Sequence, residues 1–289
     1  MSKRLILVTG ANGQLGKEFR VVASNETGFE FAFVSKEELP IHDFEKVKQY
    51  FATNRPAYCI NCAAYTAVDK AESEKELAYL INAESVSVLA EVCKQYETAF
   101  VHVSTDYVFN GDSPKPYKED AETGPISVYG SSKLKGEILS LEKNPDSIII
   151  RTAWVYSEFG NNFVKTMIRL MKERKELNVV NDQIGAPTYA YDLAKAIMSI
   201  IKSDKWQPGI YHFSNSGKIS WYDFAVAIKE LTGSECKVNP IPTSQYPTAA
   251  RRPAFSLLDT SKIKNVYGIN IPEWKASLTK CVDHLKQAS

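Results

Sequence analysis

Tyr129 and Lys133, four positions apart, are the pair in this sequence best suited to acid–base chemistry. On an α-helix, two residues at this spacing lie on the same face. An ammonium group beside a phenol favours the phenolate and lowers the pKa of the phenol from its usual value of about 10. A tyrosine tuned in this way can donate a proton to an oxygen atom near neutral pH. Because Tyr-x-x-x-Lys also occurs on solvated helices, its meaning depends on the elements around it.

Two hydroxyl groups precede this pair, at the end of a predicted strand that reads Val103-Ser-Thr-Asp106. Ligands of parallel sheets bind beyond the carboxyl ends of the strands, so Ser104 or Thr105 would reach a ligand there. Such a hydroxyl could hydrogen-bond to a carbonyl oxygen under attack. The alternative is a strand end that is merely capped by small polar residues. With Tyr129 and Lys133 downstream, we interpret Thr105 as catalytic.

A glycine-rich turn follows the first predicted strand and begins a helix, with glycines at Gly10, Gly13 and Gly16. Glycine lets the backbone turn tightly and approach a pyrophosphate, which binds at the positive N-terminal end of a helix. The alternative is a tight turn that binds no ligand. The position at the first strand–helix junction favours a dinucleotide site.

The end of the second predicted strand bears on the choice of cofactor. Dinucleotide folds often place an acidic side chain there, where it holds the ribose hydroxyls. Here Ser35 and Lys36 could receive a 2′-phosphate, whereas Glu37 and Glu38 could serve NAD. We favour NADP(H) and keep NAD(H) as the alternative.

The first half of the chain alternates between strand and helix patterns. Apolar, β-branched runs predict strands at 5–9, 29–34, 58–61, 99–103 and 147–152. Apolar residues with helical spacing predict helices at 13–23, 44–51, 73–96 and 128–141. This alternation indicates βαβ units. The predicted fold is therefore α/β, a Rossmann-like, doubly wound parallel sheet.

The second half of the chain is less regular. Helices are predicted at 163–174, 191–201, 221–231 and 272–286, and a strand at 210–214. We expect residues 1–153 to form the NAD(P)-binding Rossmann domain, with a later contribution from about 178–214. Residues 154–289 would form mainly a smaller C-terminal, substrate-binding lobe. Four prolines lie in the segment 240–253, which is either an ordered loop that shapes a ligand cleft or a surface connector.

The composition argues against several classes of function. The 35 basic and 34 acidic residues nearly balance, so neither a nucleic-acid nor a membrane surface is indicated. No apolar run reaches the length of a membrane span, which makes the cytoplasm the expected location. Cys59 and Cys62 would point to opposite faces of a predicted strand, so buried free thiols are expected. The four histidines lack ligand spacing, and no metal site is expected.

The glycine turn, the hydroxyl-bearing strand end and the Tyr-x-x-x-Lys pair, in this order, resemble the extended short-chain dehydrogenase/reductase family. Longer phrases spread over almost the whole chain resemble the members that reduce sugar nucleotides: NCAAYTAVDKAE at 61–72, STDYVF at 104–109, RTAWVY at 151–156, GNNF at 160–163, NDQIGAP at 181–187 and YPTAARRP at 246–253. The resemblance implies NAD(P)H-dependent reduction of the C4 carbonyl of dTDP-4-dehydro-L-rhamnose to dTDP-L-rhamnose, in dTDP-rhamnose biosynthesis. The implied partner is a dTDP-sugar, and we expect a monomer or a homodimer.

The resemblance also implies roles for individual residues. Tyr129 would be the proton donor, Lys133 its partner and a contact of the nicotinamide ribose, and Thr105 the group that polarises the substrate carbonyl. The further cofactor contacts that it implies are Gly13, Gln14, Leu15, Asp43, Phe44, Ala64, Tyr65 and Thr66. The further substrate contacts that it implies are Asp106, Trp154, Asn162, Arg251 and Arg252. An arginine suits the diphosphate because a guanidinium group pairs with two phosphate oxygens. The alternative is that Arg251 and Arg252 are a basic dipeptide on the surface that binds no ligand.

One departure from the family favours a particular reaction. A related dehydratase carries Asp-Glu after the catalytic threonine, and the two acids drive the loss of water from the sugar. Here Asp106 is followed by Tyr107, which favours carbonyl reduction over dehydration. Two alternatives stay open: a non-catalytic regulatory subunit of the methionine adenosyltransferase type, and an NAD-dependent sugar-nucleotide epimerase. The complete set of Thr105, Tyr129 and Lys133 favours an enzyme over a regulatory subunit.

Overall fold

A central parallel sheet organises the computed structural model, which describes residues 3–203 and 205–287. The strands are β1 (Arg4–Thr9), β2 (Phe29–Val34), β3 (Tyr58–Asn61), β4 (Ala99–Thr105), β5 (Ile148–Thr152), β6 (Val155–Tyr156), β7 (Glu176–Val180), β8 (Ile184–Gly185), β9 (Thr188–Tyr189), β10 (Gly209–His212), β11 (Ile219–Ser220) and β12 (Lys237–Ile241). Six of them lie side by side in the order β10-β5-β4-β3-β1-β2, and every pair of neighbours is parallel. The predicted α/β, Rossmann-like fold is confirmed.

Helices cover both faces of this sheet. They are α1 (Gln14–Ala23), α2 (Phe44–Asn54), α3 (Val68–Ala71), α4 (Lys75–Tyr79), α5 (Ser85–Gln95), α6 (Val128–Lys143), α7 (Phe163–Glu173), α8 (Ala190–Lys202), α9 (Trp221–Thr232), α10 (Ser261–Tyr267) and α11 (Trp274–Gln287). A π turn spans Leu80–Glu84, and 3₁₀ turns span Asp106–Val108 and Thr243–Gln245. None of the described helices combines the length and the apolarity that a membrane crossing requires.

Alternate residues of each central strand supply two separate cores. Ile6 and Val8 of β1 pack with side chains of α1 and α8, whereas Leu7 packs with side chains of α2 and α5. Successive side chains of a strand point to opposite faces, so the apolar runs must be buried on both sides. Cys59 packs in the second core and Cys62 against the first, as predicted from their spacing. Both are free thiols.

The long helix predicted at 73–96 is interrupted in the structure. The run from α4 to α5 widens into the π turn Leu80–Glu84, and the Ser85 hydroxyl donates to the Leu80 carbonyl at 2.7 Å. A Cβ atom on Gly136 of α6 would lie 2.0 Å from the Asn82 carbonyl oxygen. Only a glycine lets α6 approach the π turn so closely. Apolar periodicity predicted the helix but carried no signal for the turn, which depends on this contact.

The proline-rich segment 240–253 begins as a strand. Pro240 lies in β12, which pairs in parallel with β7 through Pro240 opposite Val179. Proline is tolerated here because each strand of a two-stranded sheet is an edge strand. Further along, the Ala250 amide donates to Asp69 of α3 at 3.0 Å. The segment is therefore tied to the N-terminal half at Ala250, although residues 242–249 are exposed, and its part in shaping a ligand cleft stays a prediction.

A buried ion pair holds α6 against the sheet. The Arg151 guanidinium on β5 contacts the Glu137 carboxylate on α6 at 2.7 Å, and the two side chains are 3% and 2% exposed. The Ser104 hydroxyl of β4 donates to the same carboxylate at 2.5 Å. These bonds fix which face of α6 is directed at the carboxyl ends of β4 and β5.

Glu137→Ala should lower the free energy of unfolding by about 3–5 kcal/mol, because it leaves the Arg151 guanidinium buried and uncompensated. Urea unfolding followed by tryptophan fluorescence measures the loss. Glu91→Ala is the matched control, since Glu91 pairs at 3.2 Å with Lys143 on the surface and an exposed pair contributes about 0–1 kcal/mol. Equal losses in the two variants would contradict the role of the buried pair.

Candidate active site

The glycine turn between β1 and α1 is too tight for side chains at two of its positions. Gly10 has a left-handed φ of 65°, and a Cβ atom there would lie 2.7 Å from the Ala63 amide nitrogen. A Cβ atom on Gly16 would lie 2.5 Å from the Gly10 carbonyl oxygen. The turn therefore requires glycine at both positions and brings the backbone after β1 against the backbone after β3.

The N-terminus of α1 is suited to an anion. Gly13 caps this helix without a side-chain hydrogen bond, and the first turn, which begins with Gln14 and Leu15, carries no acidic residue. Unpaired N–H groups at the positive end of a helix are what a pyrophosphate binds. The residues present therefore fit the pyrophosphate of NAD(P).

The residues after β2, which bear on the choice between NAD and NADP, differ in their surroundings. The register of β1 against β2 places Ser35 beside the glycine turn. The Ser35 amide donates to the Glu38 carboxylate at 2.7 Å, and this bond, with one to the Ser35 hydroxyl, lowers the pKa of Glu38. Lys36 extends into solvent with only a 3.8 Å contact to Glu37. The Glu38 carboxylate is thus bonded within its own turn, whereas the Lys36 ammonium is exposed, and a contact between Lys36 and a 2′-phosphate stays a prediction.

Asp43 and Phe44 begin α2. One Asp43 oxygen accepts from the Lys46 amide at 3.2 Å, and the other pairs with the Lys46 ammonium at 3.1 Å. Hydrogen bonding to the Lys46 amide lowers the pKa of Asp43. Asp43 is therefore a helix cap, and the contact of Asp43 and Phe44 with adenine stays a prediction.

The side-chain amide of Asn82 holds the backbone of the segment Ala64-Tyr-Thr66 after β3, and the Tyr65 hydroxyl donates to Glu74 at 2.6 Å. The Tyr65 amide donates to Asn82 Oδ1 at 2.9 Å, and Asn82 Nδ2 donates to the Tyr65 carbonyl at 3.0 Å. Asn82 Nδ2 also donates to Ser132 of α6 at 3.0 Å. Asn82 thus ties the predicted cofactor segment to the helix that carries Tyr129. Sequence reasoning missed Asn82, which lay inside a predicted helix with no distinguishing signal.

Thr105 and Asp106 close the end of β4. The Thr105 hydroxyl accepts from the Tyr107 amide at 3.2 Å and donates to Asp106 Oδ1 at 3.1 Å. Asp106 is 2% exposed, and among residues 3–203 and 205–287 its Oδ2 atom has no hydrogen-bond partner. Burial raises the pKa of Asp106 to about 6, although the nearby Ser256 and Thr105 hydroxyls oppose the rise. An orphaned buried oxygen at a strand end suits the hydroxyl of a ligand.

Tyr129 lies in the first turn of α6, with its ring 5.4 Å from the Tyr107 ring in an edge-on arrangement. Burial raises the pKa of Tyr129 to about 12; the Thr105 hydroxyl opposes the rise and the Asp106 charge adds to it. The sequence led us to expect a lowered pKa, and that expectation is wrong for this structure. The phenol is protonated at neutral pH, which is the state that a proton donor needs.

Lys133 explains the difference, because its ammonium group is directed elsewhere. Nζ donates to the Val103 carbonyl at 2.7 Å and lies 3.3 Å from His102 Nε2. Lys133 is 2% exposed, and burial lowers its pKa to about 8, although the Glu137 charge opposes the change. Thr105, rather than Lys133, is the group that opposes the rise in the pKa of Tyr129.

Trp154 is held in a strained conformation. It has a left-handed φ of 49°, and its ring stacks on that of Trp221 with centroids 3.7 Å apart and planes 12° apart. A Cβ atom on Gly185 would lie 2.9 Å from the Trp154 ring. Strain of this kind persists only where the surroundings enforce it, and it is common at ligand sites. Sequence reasoning missed Trp221, which is the first residue of α9.

Asn162 lies beside the cofactor turn. Its Nδ2 atom donates to the Gln14 side chain at 2.9 Å and to the Ser157 carbonyl at 2.7 Å. Its Oδ1 atom caps α7 by accepting from the Lys165 amide at 3.1 Å. Both of its N–H groups are thus occupied, and a contact between Asn162 and the substrate stays a prediction.

The two adjacent arginines differ in their surroundings. Arg252 forms a bidentate pair with Asp69, with bonds of 2.7 and 3.1 Å, and this pairing lowers the pKa of Asp69. Arg251 is exposed, and no hydrogen bond or ion pair joins it to another residue of the described chain. The guanidinium group of Arg251 is therefore the one available to a phosphate.

The site combines the glycine turn, the protonated phenol of Tyr129, the buried hydroxyl of Thr105 and the buried carboxyl group of Asp106. All of them lie at the carboxyl ends of the strands. This set can protonate an oxygen atom that gains negative charge. Across residues 3–203 and 205–287, no three His, Cys, Asp or Glu side chains form a group that could hold a metal ion.

Sequence comparison gives a consistent result. The family model described as the RmlD substrate binding domain matches residues 3–287. A dTDP-4-dehydrorhamnose reductase of Aggregatibacter actinomycetemcomitans is 43% identical over 283 residues, which cover 94% of this chain and 96% of that protein.

Two solved structures are similar in both fold and sequence. A dTDP-4-dehydrorhamnose reductase from Clostridium acetobutylicum has a TM-score of 0.94 at 42% identity and covers 98% of this chain and 99% of its own. A dTDP-4-dehydrorhamnose reductase from Bacillus anthracis, solved in complex with NADP, has a TM-score of 0.93 at 39% identity and covers 98% of this chain and 100% of its own.

Gly16→Ala should weaken NADPH binding about tenfold or more, a loss of about 1.4 kcal/mol. The new Cβ atom would lie 2.5 Å from the Gly10 carbonyl oxygen and force the turn to open. Calorimetric titration with NADPH measures the change. Gly28→Ala is the matched control, since nothing lies within 4 Å of a Cβ atom there. Equal affinities in the two variants would refute the assignment of the turn.

Proposed function

This chain belongs to the RmlD substrate binding domain family, and from that premise we propose that it reduces the C4 carbonyl of dTDP-4-dehydro-L-rhamnose to dTDP-L-rhamnose with NADPH. The observation that carries the proposal is the complete set of Thr105, Tyr129 and Lys133. These residues lie at the carboxyl ends of the strands, where the glycine turn also lies. A proton donor beside a dinucleotide cradle is what carbonyl reduction requires.

The residues of the chain would orient the substrate and supply the proton. When bound, NADPH supplies the hydride for the carbonyl carbon. Tyr129, with a pKa of about 12, carries its proton at neutral pH and donates it to the carbonyl oxygen as negative charge develops there. The Thr105 hydroxyl donates to Asp106 and opposes the rise in the pKa of Tyr129, so we place it beside the phenol, where it would help to orient the proton donor.

Recognition of the sugar nucleotide would use the groups that the fold leaves available. The unpartnered Oδ2 atom of Asp106 accepts a hydrogen bond from a sugar hydroxyl. The Trp154 ring, fixed by Trp221, provides an apolar surface for the sugar ring. The guanidinium group of Arg251 pairs with the diphosphate.

The alternatives are less well supported by the site. A regulatory subunit would not need the acid–base set, and a dehydratase would carry a second acid where Tyr107 stands. An epimerase must retain NAD tightly through its cycle, whereas Lys36 and the folded-back Glu38 favour a 2′-phosphate.

The proposal includes an organisation and a location. Residues 1–153, with a contribution from about 178–214 that includes α8 and β10, form the cofactor domain, and residues 154–289 form mainly the substrate lobe. The enzyme works in the cytoplasm as a monomer or a homodimer.

A coupled assay on enzymatically made dTDP-4-dehydro-L-rhamnose tests the reaction. NADPH should be oxidised only when the keto-sugar is present, and faster than NADH. Failure to reduce any dTDP-keto-sugar, together with tight binding to a partner protein, would support the regulatory alternative. NAD that survives purification would support the epimerase.

Tyr129→Phe should lower kcat by about 10²–10⁴-fold, because the proton donor is lost. NADPH binding, measured by calorimetry, should be retained. Tyr50→Phe, which removes a phenol hydroxyl on α2, is the control and should leave kcat unchanged. Full turnover by the Tyr129 variant would refute its role as the acid.

Arg251→Ala should raise KM for the sugar nucleotide about tenfold with little change in kcat, because a diphosphate contact is the same in the ground and transition states. Steady-state kinetics separates the two constants. Arg169→Ala is the control, since Arg169 is an exposed arginine that pairs with Glu173 on α7. An unchanged KM in the Arg251 variant would contradict the assignment.

A further inference from the structure

Lys133 lies at the end of a line of buried polar groups that the proposed reaction does not use. The line runs from Thr9 of β1 through Asn61 of β3 to His102 of β4. Thr9, Asn61 and His102 are fully buried, at 0% exposure. Because a buried polar group must be paired correctly, the identity of each donor and acceptor along this line is determined by its neighbours.

A peptide group fixes the orientation of the Asn61 amide. The Ala63 backbone N–H, which can only donate, lies 3.2 Å from Asn61 Oδ1. The Thr9 hydroxyl donates to the same atom at 2.6 Å. Exchange of the amide oxygen and nitrogen would set the Asn61 NH₂ group against the Ala63 N–H, two donors facing each other. The NH₂ group of Asn61 must therefore be directed at His102.

The Asn61 amide in turn fixes the tautomer of His102. Asn61 Nδ2 lies 3.0 Å from His102 Nδ1, and an amide nitrogen only donates, so Nδ1 must accept and carry no proton. Burial and the nearby Lys133 charge hold the pKa of His102 well below its usual range. A neutral imidazole carries one proton, which must then be on Nε2.

The Nε2–H group of His102 faces Lys133 Nζ at 3.3 Å. An ammonium group has three donors and no acceptor. A Lys133 ammonium would therefore set two donors face to face, which is unfavourable. A neutral amine has a lone pair that can accept from Nε2–H while one of its own N–H groups donates to the Val103 carbonyl at 2.7 Å.

We propose that His102 is a positioning residue that, as the Nε2–H tautomer imposed by Ala63 and Asn61, stabilises the neutral amine of Lys133 and so lets Lys133 resupply the proton of Tyr129. The inference rests on the proposed reduction. Because Lys133 Nζ bonds to the Val103 carbonyl, the proton travels through solvent water: after Tyr129 has protonated the substrate oxygen, one N–H bond of the Lys133 ammonium breaks as water takes that proton, and water gives a proton to the Tyr129 phenolate. Lys133 is left as a neutral amine, and a proton from solvent water restores the ammonium.

The surroundings of Lys133 affect its pKa in opposite directions. Glu137, one turn along α6, and Cys62 after β3 favour the ammonium, but burial outweighs both and brings the pKa of Lys133 to about 8. Arg151 neutralises much of the effect of Glu137. Burial raises the pKa of Tyr129 to about 12, so the Tyr129 phenolate holds a proton more strongly than the Lys133 amine does.

The tautomer can be read directly on the full-length protein. NMR of the ring nitrogens in histidine-labelled protein, with and without NADPH and without any sugar nucleotide, distinguishes Nε2–H from Nδ1–H. The four histidines allow the His102 signals to be assigned by their loss in His102→Gln. We expect His102 to be neutral and protonated on Nε2 across neutral pH. A proton on Nδ1, or a charged ring, would overturn the inference whether or not the enzyme reduces the proposed sugar.

Asn61→Asp tests the link to Lys133. A carboxylate at this position accepts from Thr9 and Ala63 with one oxygen and from His102 Nδ1–H with the other. The His102 proton should therefore move to Nδ1, leaving the Nε2 lone pair to accept from the Lys133 ammonium. The titration midpoint of the Lys133 ε-carbon, assigned by NMR with Lys133→Met, should rise by about one unit or more. The alkaline limb of kcat/KM should rise with it, because the group that supplies the proton stays charged to higher pH.

Thr9→Val is the matched control, because it removes one hydrogen bond to Asn61 but leaves the Ala63 N–H in place. His102 should stay protonated on Nε2 in this variant, and the Lys133 midpoint should not move. If Asn61→Asp raises the Lys133 midpoint without moving the His102 proton, the added charge alone is responsible and the inference fails. It also fails if the proton moves and the Lys133 midpoint does not.

Discussion

The buried pair between Arg151 of β5 and Glu137 of α6 is the contact on which the geometry of the site depends. Removing two charges from water is unfavourable unless each finds its partner with good geometry, so the pair tolerates little rotation or sliding of α6. Tyr129 and Lys133 precede Glu137 by eight and four residues, and all three lie on one face of the helix. Fixing Glu137 against the sheet therefore also directs Tyr129 and Lys133 at the ends of the strands.

The order of the strands connects this helix to the cofactor cradle. β3 lies between β1 and β4, so the residues that end β3 contact both neighbours. The Asn61 side chain accepts from Thr9 and Ala63, which flank the glycine turn, and faces His102, which contacts Lys133. The Asn61 amide thus connects the glycine turn, which we expect to bind the pyrophosphate, with Lys133.

The sequence predicted what depends on local pattern. Apolar runs located β2 and β3 at the bounds that the structure has, and the glycine spacing located the turn. What it missed depends on contacts between distant segments. The π turn forms where Gly136 of α6 approaches Asn82, and Trp221 matters only because β6 and α9 bring it onto Trp154. The sequence predicted a lowered pKa for Tyr129, and this was wrong. The four-residue spacing could not reveal that Lys133 bonds to the Val103 carbonyl.

Tyr107, which stands where a related dehydratase carries a second acid, favours one reaction over another at this site. Loss of water from a sugar requires a base that removes a proton from carbon as well as an acid that protonates the departing oxygen. Burial raises the pKa of Tyr107, so its phenol stays protonated and cannot serve as that base. Its ring lies edge-on against that of Tyr129. With Tyr107 in the place of a second acid, Tyr129 suits the delivery of one proton to an oxygen, which the proposed reduction of a carbonyl requires.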